Sequence, residues 1–347
     1  MTNKTGEKTD VATFLKVAEG IPVIDVRSPS EFRKGHIPGS HNIPLFDDSE
    51  REAVGICYKR EGRNKAILKG LELTGPSMKS KLDQGLKIAI EDRLLVHCWR
   101  GGMRSEAMAW LFSLGGIQTD ILEGGYKSYR QLVLENHSAG RRMIILGGLT
   151  GSGKTHILKF LEKSGRQVID LEGIANHKGS AFGSLGQPPQ PTSEHFSNIL
   201  FDRLKVTDRN QPLWLEDESS NIGTVFMPEG FYLNMQNSPS IILLMDVKTR
   251  LPRLIEEYSV YATEELVESV RRISKRMGGD NANEAIQALY LGDYAKAIEI
   301  ILHYYDRTYM FGLKKEDGKN IFLINTGTND IEANAMKVLE AEKKIAW

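Results

Sequence analysis

The sequence predicts an α/β protein of two domains, each built on short buried strands alternating with helices, the second having a mainly parallel sheet and a helical C-terminal portion. Three observations carry the prediction. At 347 residues the chain exceeds what one hydrophobic core usually organises. The polar stretch Glu135-Asn136-His137-Ser138-Ala139-Gly140-Arg141-Arg142 separates two strand–helix series and sets the domains at 1–137 and 141–347. On each side of this seam an apolar strand runs into a glycine-rich loop and then a helical pattern.

Taken in chain order, Met1 to Asp10 is polar and lacks the apolar core of a secretion signal. No apolar run approaches the roughly 20 residues that span a bilayer. With 40% apolar and 26% charged residues, a cytoplasmic, globular protein is expected. Pro22 to Val26 reads as a buried strand, and Ser28-Pro29-Ser30-Glu31 joins a capping box to a first-turn proline, the start of a helix. Leu94 to His97 is a second strand, followed by a helix over Arg104 to Leu114. Beyond the seam, Met143–Gly147, Gln167–Leu171, Leu213–Glu216, Ile241–Asp246 and Asn320–Ile324 are strand segments separated by helical ones, as a parallel sheet requires. Leu251 to Arg307 is helical by periodicity, breaks at Gly278-Gly279-Asp280, and is expected to cover the site.

Charge excludes a globally basic nucleic-acid binder: 45 basic residues balance 45 acidic ones, 20 against 18 before Gly140 and 25 against 27 after it. Any nucleic acid must be held by local patches and shape. Cys57 and Cys98 are the only cysteines, too few for a disulfide framework or a cysteine-built zinc site. No tightly bound cofactor is expected.

His97-Cys98-Trp99-Arg100-Gly101-Gly102-Met103-Arg104-Ser105 lies between a strand and a helix, so Cys98 sits where backbone N–H groups converge. Those amides, the helix dipole, Arg100 and Arg104 favour an anion and lower the thiol pKa, making Cys98 the expected catalytic nucleophile. Gly101 and Gly102 let the backbone curl, and Trp99, Met103 and Ser105 complete the anion loop. Cys57, in Gly55-Ile56-Cys57-Tyr58-Lys59, has no such cradle and is expected to be structural.

Upstream, Asp25-Val26-Arg27, Glu31-Phe32 and Gly35-His36-Ile37-Pro38-Gly39-Ser40-His41-Asn42-Ile43-Pro44 resemble the rhodanese pattern. The resemblance implies a rhodanese-like N-terminal domain whose active cysteine, at the position of Cys98, carries sulfur or, in some relatives, selenium. Asp25, His36 and Asn42 are expected to tie loops together by hydrogen bonds. Cys98, five residues and then Arg104-Ser105 also fit the cysteine phosphatase signature, in which arginine clamps a phosphate, so both readings of the loop stand.

After Met143-Ile144-Ile145-Leu146-Gly147 comes Gly148-Leu149-Thr150-Gly151-Ser152-Gly153-Lys154-Thr155, a Walker A match in its strand–loop–helix setting. A P-loop NTPase-like domain is expected. The glycines expose amides to phosphate oxygens, Lys154 adds a point charge, and the Thr155 hydroxyl can reach a magnesium ion. Asp217, in Glu216-Asp217-Glu218, is the preferred carboxylate on the metal side, ahead of Asp170 and Asp246. His177, in the polar run Asn176-His177-Lys178-Gly179-Ser180, is expected to line the phosphate site. Arg272 and Arg276 belong to a basic helix that can meet a nucleic-acid backbone or a diphosphate. Tyr58 to Lys65 is a secondary basic segment, and Gly124-Gly125-Tyr126-Lys127 reads as a turn into a helix.

The joined pattern is similar to the tRNA 2-selenouridine synthase family over nearly the whole chain. Besides both loops, Tyr58-Lys59, Gly124-Gly125-Tyr126-Lys127, the run from Leu171 to Gly183, and Glu216-Asp217-Glu218-Ser219 carry the likeness. The resemblance implies conversion of wobble 2-thiouridine in tRNA to 2-selenouridine through an S-geranylated intermediate, with geranyl diphosphate and selenophosphate as co-substrates. It places the diphosphate on the P-loop and the selenophosphate on the Cys98 loop. A P-loop kinase with a rhodanese-fold module and a cysteine phosphatase remain the alternatives.

Overall fold

The computed structural model describes residues 6–313 and 320–347; of the polar stretch 1–10, residues 1–5 lie outside it. The chain divides into two units, Met1–Asn136 with Ser197–Asp202, and His137–Phe196 with Arg203–Trp347. Among the described residues no helix is long and apolar enough to cross a membrane.

The first unit holds β1 (Glu7–Thr9), β2 (Val23–Asp25), β3 (His41–Asn42), β4 (Arg93–His97) and β5 (Gln118–Leu122), in the order β1-β5-β4-β2-β3. Every pair is parallel. The central strand β4 is buried from Leu94 to His97, the continuous apolar run of a strand covered on both faces. The edge strands left no such signal. Glu7-Lys8-Thr9 is polar and exposed, and β3 spans two residues, so neither registers as a period-two pattern. Between β3 and β4 stand two consecutive helices, Asp48–Glu61 and Arg63–Thr74.

The second unit holds β6 (Met143–Gly148), β7 (Gln167–Ile169), β8 (Leu213–Glu216), an antiparallel ribbon of β9 (Asn221–Ile222) and β10 (Val225–Phe226), then β11 (Ser240–Leu244) and β12 (Ile321–Asn325). The main sheet runs β12-β11-β6-β8-β7 and is parallel throughout, as expected. All six residues of the central β6 are buried. Two expected boundaries shift: Leu171 opens a short helix instead of ending β7, and Asp246 stands at a helix N-cap beyond β11.

The helical portion comprises Val247–Tyr258, Thr263–Met277, Gly279–Tyr290 and Tyr294–Leu313. The expected break at Gly278 is present, and breaks at 259–262 and 291–293 add to it. Leu266, Val270, Ile273 and Met277, spaced three and four apart, build a core with Ala285, Leu289 and Ile301.

In each sheet the loop of interest leaves the C-terminal end of the central strand. Connections from β2 and β4 depart in opposite directions, as do those from β6 and β11, so each loop lies at a crevice where parallel sheets bind ligands.

Candidate functional site

In the first unit, Cys98 follows β4, and the helix Met103–Leu114 begins five residues later. Cys98 is 4% exposed; its Sγ lies 3.3 Å from Ser105 Oγ and 4.0 Å from the Gly102 carbonyl oxygen. Burial opposes ionisation, yet the Ser105 hydroxyl, the Arg100 and Gly102 backbone and the Arg104 charge outweigh it, holding the thiol below its ordinary pKa. Cys57 moves the other way: desolvation and the nearby Glu61 raise its pKa, the wrong direction for a nucleophile.

The loop is clamped from behind by a segment that local sequence suggests is only a turn. Tyr126 N–H donates to the Cys98 carbonyl at 2.8 Å and Lys127 N–H to the Trp99 carbonyl at 3.0 Å. At Gly125, with φ of +64°, a Cβ would stand 2.4 Å from the Cys98 carbonyl oxygen; at Gly101, also +64°, one would stand 2.3 Å from the Leu122 carbonyl oxygen. Both glycines are required by close backbone approach. Trp99 is 39% exposed and tilted against Tyr126, Arg100 is exposed, and the Met103 sulfur lies 3.8 Å from Arg63 Nη2.

Arg104 has a partner of its own. Its Nη1 and Nη2 reach the Glu31 carboxylate at 2.7 and 3.3 Å, so Glu31 fixes the guanidinium beside the loop. Asp25 binds Arg27 through both oxygens, and Arg27 lies 3.7 Å over the Tyr126 ring. Asn42 Nδ2 donates to the Asp25 and Arg27 carbonyls at 2.8 and 2.9 Å, and His36 Nδ1 lies 3.0 Å from the Phe32 carbonyl. Asn198 donates to the His36 carbonyl at 2.8 Å and the Tyr126 hydroxyl at 2.7 Å, a support that no local motif announced.

A thiolate held this way predicts a measurable pH profile. Alkylation by iodoacetamide follows the thiolate, so Cys98 should react rapidly below about pH 8.5, the ordinary thiol value, and slow only as pH falls through its lowered pKa. Ser105→Ala should move that midpoint upward. A wild-type midpoint at the ordinary value would contradict the cradle.

In the second unit, Gly148, Leu149, Thr150, Gly151, Ser152 and Gly153 form the loop, and Lys154 and Thr155 open the helix Lys154–Lys163. Gly153 is left-handed at φ +86°. Lys154 Nζ donates to the Gly148 carbonyl at 2.9 Å. Two arginines from the helix Val247–Tyr258 fix the loop backbone: Arg250 Nη1 donates to Thr150 O at 2.9 Å and Arg253 Nη1 to Gly151 O at 3.1 Å. Asp306 pairs with both terminal nitrogens of the buried Arg250.

Asp217 lies next to the loop. Tyr309 Oη donates to Asp217 Oδ2 at 2.7 Å and accepts from Gly148 N–H at 2.9 Å. Its neighbours form a carboxyl group that the preference for Asp217 passed over. Glu172 and Glu218 hydrogen-bond to each other; burial raises both, with Lys154 pulling the other way. Burial, Asp170 and Glu172 push Glu216 up to about 8. Among the described residues no set of three or more His, Cys, Asp or Glu is arranged to hold a metal.

His177 is buried, and burial followed by the Arg272 charge lowers its pKa, so these two expected residues share a neighbourhood. Arg272 Nη1 also reaches Ser184 Oγ at 3.5 Å. Arg276 is exposed on the same helix, its charge felt at Tyr305.

A family model described as the tRNA 2-selenouridine synthase AAA domain matches residues 141–340, and the rhodanese-like domain model matches 10–132. A protein named tRNA 2-selenouridine synthase from Shewanella piezotolerans is 36% identical over 338 residues, covering 87% of this chain and 91% of the relative. One of the same name from Nitrosomonas europaea is 32% identical over 359 residues, covering 88% and 92%. Among solved structures, the N-terminal domain of a putative ATP/GTP binding protein from Clostridium difficile is 36% identical with a TM-score of 0.35, covering 37% of this chain and 99% of that one.

Proposed function

Because the chain belongs to the tRNA 2-selenouridine synthase family, and so is a tRNA-modifying transferase, we propose that it converts wobble 2-thiouridine to 2-selenouridine in two steps. In the first, the thiocarbonyl sulfur attacks C1 of geranyl diphosphate, and diphosphate leaves to the P-loop. In the second, selenium from selenophosphate replaces the S-geranyl group. The observation that carries this reading is the presence in one chain of two anion cradles of different kinds, one around a thiol held toward thiolate and one around a lysine.

Each cradle suits one step. Thiocarbonyl sulfur leaves poorly, and alkylation turns it into a thioether that departs more readily. Lys154 and the amides of Gly148 to Thr155 favour the negative charge that grows on the departing diphosphate. Cys98 carries the selenium or presents it to the activated base, with Arg100 and the loop amides facing the selenophosphate anion and Glu31 keeping Arg104 in place. A magnesium ion fits the P-loop only as a partner of the diphosphate. Thr155 and Asp217 would supply at most two protein ligands, and magnesium commonly takes the rest from phosphate and water. Its chemistry would be to neutralise diphosphate charge. His177, Arg272 and Arg276 are assigned to the phosphate side and the tRNA backbone.

The deciding measurement is nucleoside mass spectrometry on 2-thiouridine tRNA treated with purified protein. Geranyl diphosphate alone should yield the S-geranyl nucleoside, and both donors together should yield selenouridine. Unchanged 2-thiouridine with every donor present would rule the reading out.

A further inference from the structure

The second unit contains a cavity whose wall joins the phosphate loop to the helical portion. Its atom-free space is about 460 Å³, part of it open to solvent. Thr150 of the P-loop lines one side, and Leu254, Tyr258, Leu289, Ile298 and Leu302 are among the side chains around it. Leu254 anchors that near side, because a Cβ on Gly151 would stand 2.8 Å from its side chain. Leu289 belongs to the core of the helices Thr263–Met277 and Gly279–Tyr290, away from the loop.

The polar atoms of the lining are largely spoken for. Ser180 hydrogen-bonds to the hydroxyls of Tyr258 and Tyr305, and Tyr305 Oη also accepts from Ala181 N–H at 3.2 Å. The Thr150 carbonyl already accepts from Arg250. A nucleobase buried here would lose hydrogen bonds to water and find few in return, a cost of roughly 1–3 kcal/mol per unpaired group. A hydrocarbon would gain from the same wall about 25 cal/mol for each Å² it removes from water.

We infer that this cavity is the pocket for the hydrocarbon tail of an allylic diphosphate whose head sits on the P-loop, and that its side chains set the chain length accepted. The inference rests on the geranylation reading and adds the place and the selectivity. Phosphate oxygens bound to the loop amides put C1 of the donor beside Thr150, and the tail then continues past Leu254 and Ile298 toward Leu289. The cavity also gives a task to the stretch from Leu171 to Gly183, which contributes Ser180 and Phe182 to its wall.

The test compares C5, C10 and C15 allylic diphosphates as alkyl donors to 2-thiouridine tRNA, with inorganic pyrophosphate binding and thermal denaturation as controls. Ile298→Trp should lower kcat/KM for the C10 donor roughly 10-fold or more while leaving the C5 donor within about 3-fold, since one or two methylenes in an apolar pocket are worth such factors. Leu289→Ala should raise the C15 to C10 ratio roughly 10-fold. Pyrophosphate affinity should stay at the wild-type value in both variants. An active wild type whose chain-length preference neither variant moves overturns the pocket alone, and so does a loss of pyrophosphate binding that accounts for the rate changes. A wild type inactive with all three donors overturns the geranylation reading and the pocket together.

Discussion

Cys98→Ala is expected to abolish selenouridine formation, a loss of roughly 10³-fold or more as for removal of an essential nucleophile, while S-geranyl-2-thiouridine accumulates. The division follows from geometry. The thiol, its Ser105 partner and the loop backbone belong to the first unit, and the phosphate loop belongs to the second, so removing sulfur from one leaves the other intact. Folding should survive. Cys98 packs with Ile24, Val96 and Met108, and loss of one buried sulfur in such a cluster costs about 1–2 kcal/mol. Mass spectrometry of the digested tRNA checks the first claim and thermal denaturation the second. Selenouridine made at the wild-type rate by the alanine variant would remove Cys98 from the chemistry.

Lys154→Ala should give the complementary defect, with geranylation reduced about 10²- to 10³-fold, the usual effect of deleting one group that stabilises transition-state charge. Lys154 is half-buried and donates to a carbonyl of its own loop, so its loss changes charge more than packing. The sharper form of the prediction supplies tRNA that is already S-geranylated. On that substrate the variant should form selenouridine from selenophosphate at close to the wild-type rate. Equal impairment on both substrates would mean that the P-loop serves the selenium step as well, and the assignment of one cradle to each step would fall.

Much of the site is legible in the sequence because its chemistry is local. A strand, a glycine-rich turn and a helix start within about a dozen residues, and the backbone amides they gather follow from that succession alone. This is why Cys98 and the residues from Gly148 to Thr155 could be named before any contact was known, and why both parallel sheets were expected from the alternation of elements. The two-residue β3 and the polar β1 escaped for the opposite reason: they are strands through their neighbours and not through their own pattern.

What the tertiary structure decided lies in contacts between residues distant in sequence. Glu31 meets Arg104 across 73 positions, Tyr309 meets Gly148 across 161, and Asn198 meets His36 across 162. The Gly124-Gly125 turn became the back of the cysteine loop only when β5 was laid beside β4. The sequence cut at 1–137 and 141–347 likewise had no means of grouping Ser197–Asp202 with the first unit, since a buried patch of helix reads the same whichever core covers it. Sequence alone determined which residues carry reactive groups and the backbone shape that cradles them. The fold decided which charges are already partnered, which carboxyls repel one another and where an apolar wall adjoins the phosphate loop, because burial and pairing are properties of neighbours that a chain acquires only on folding.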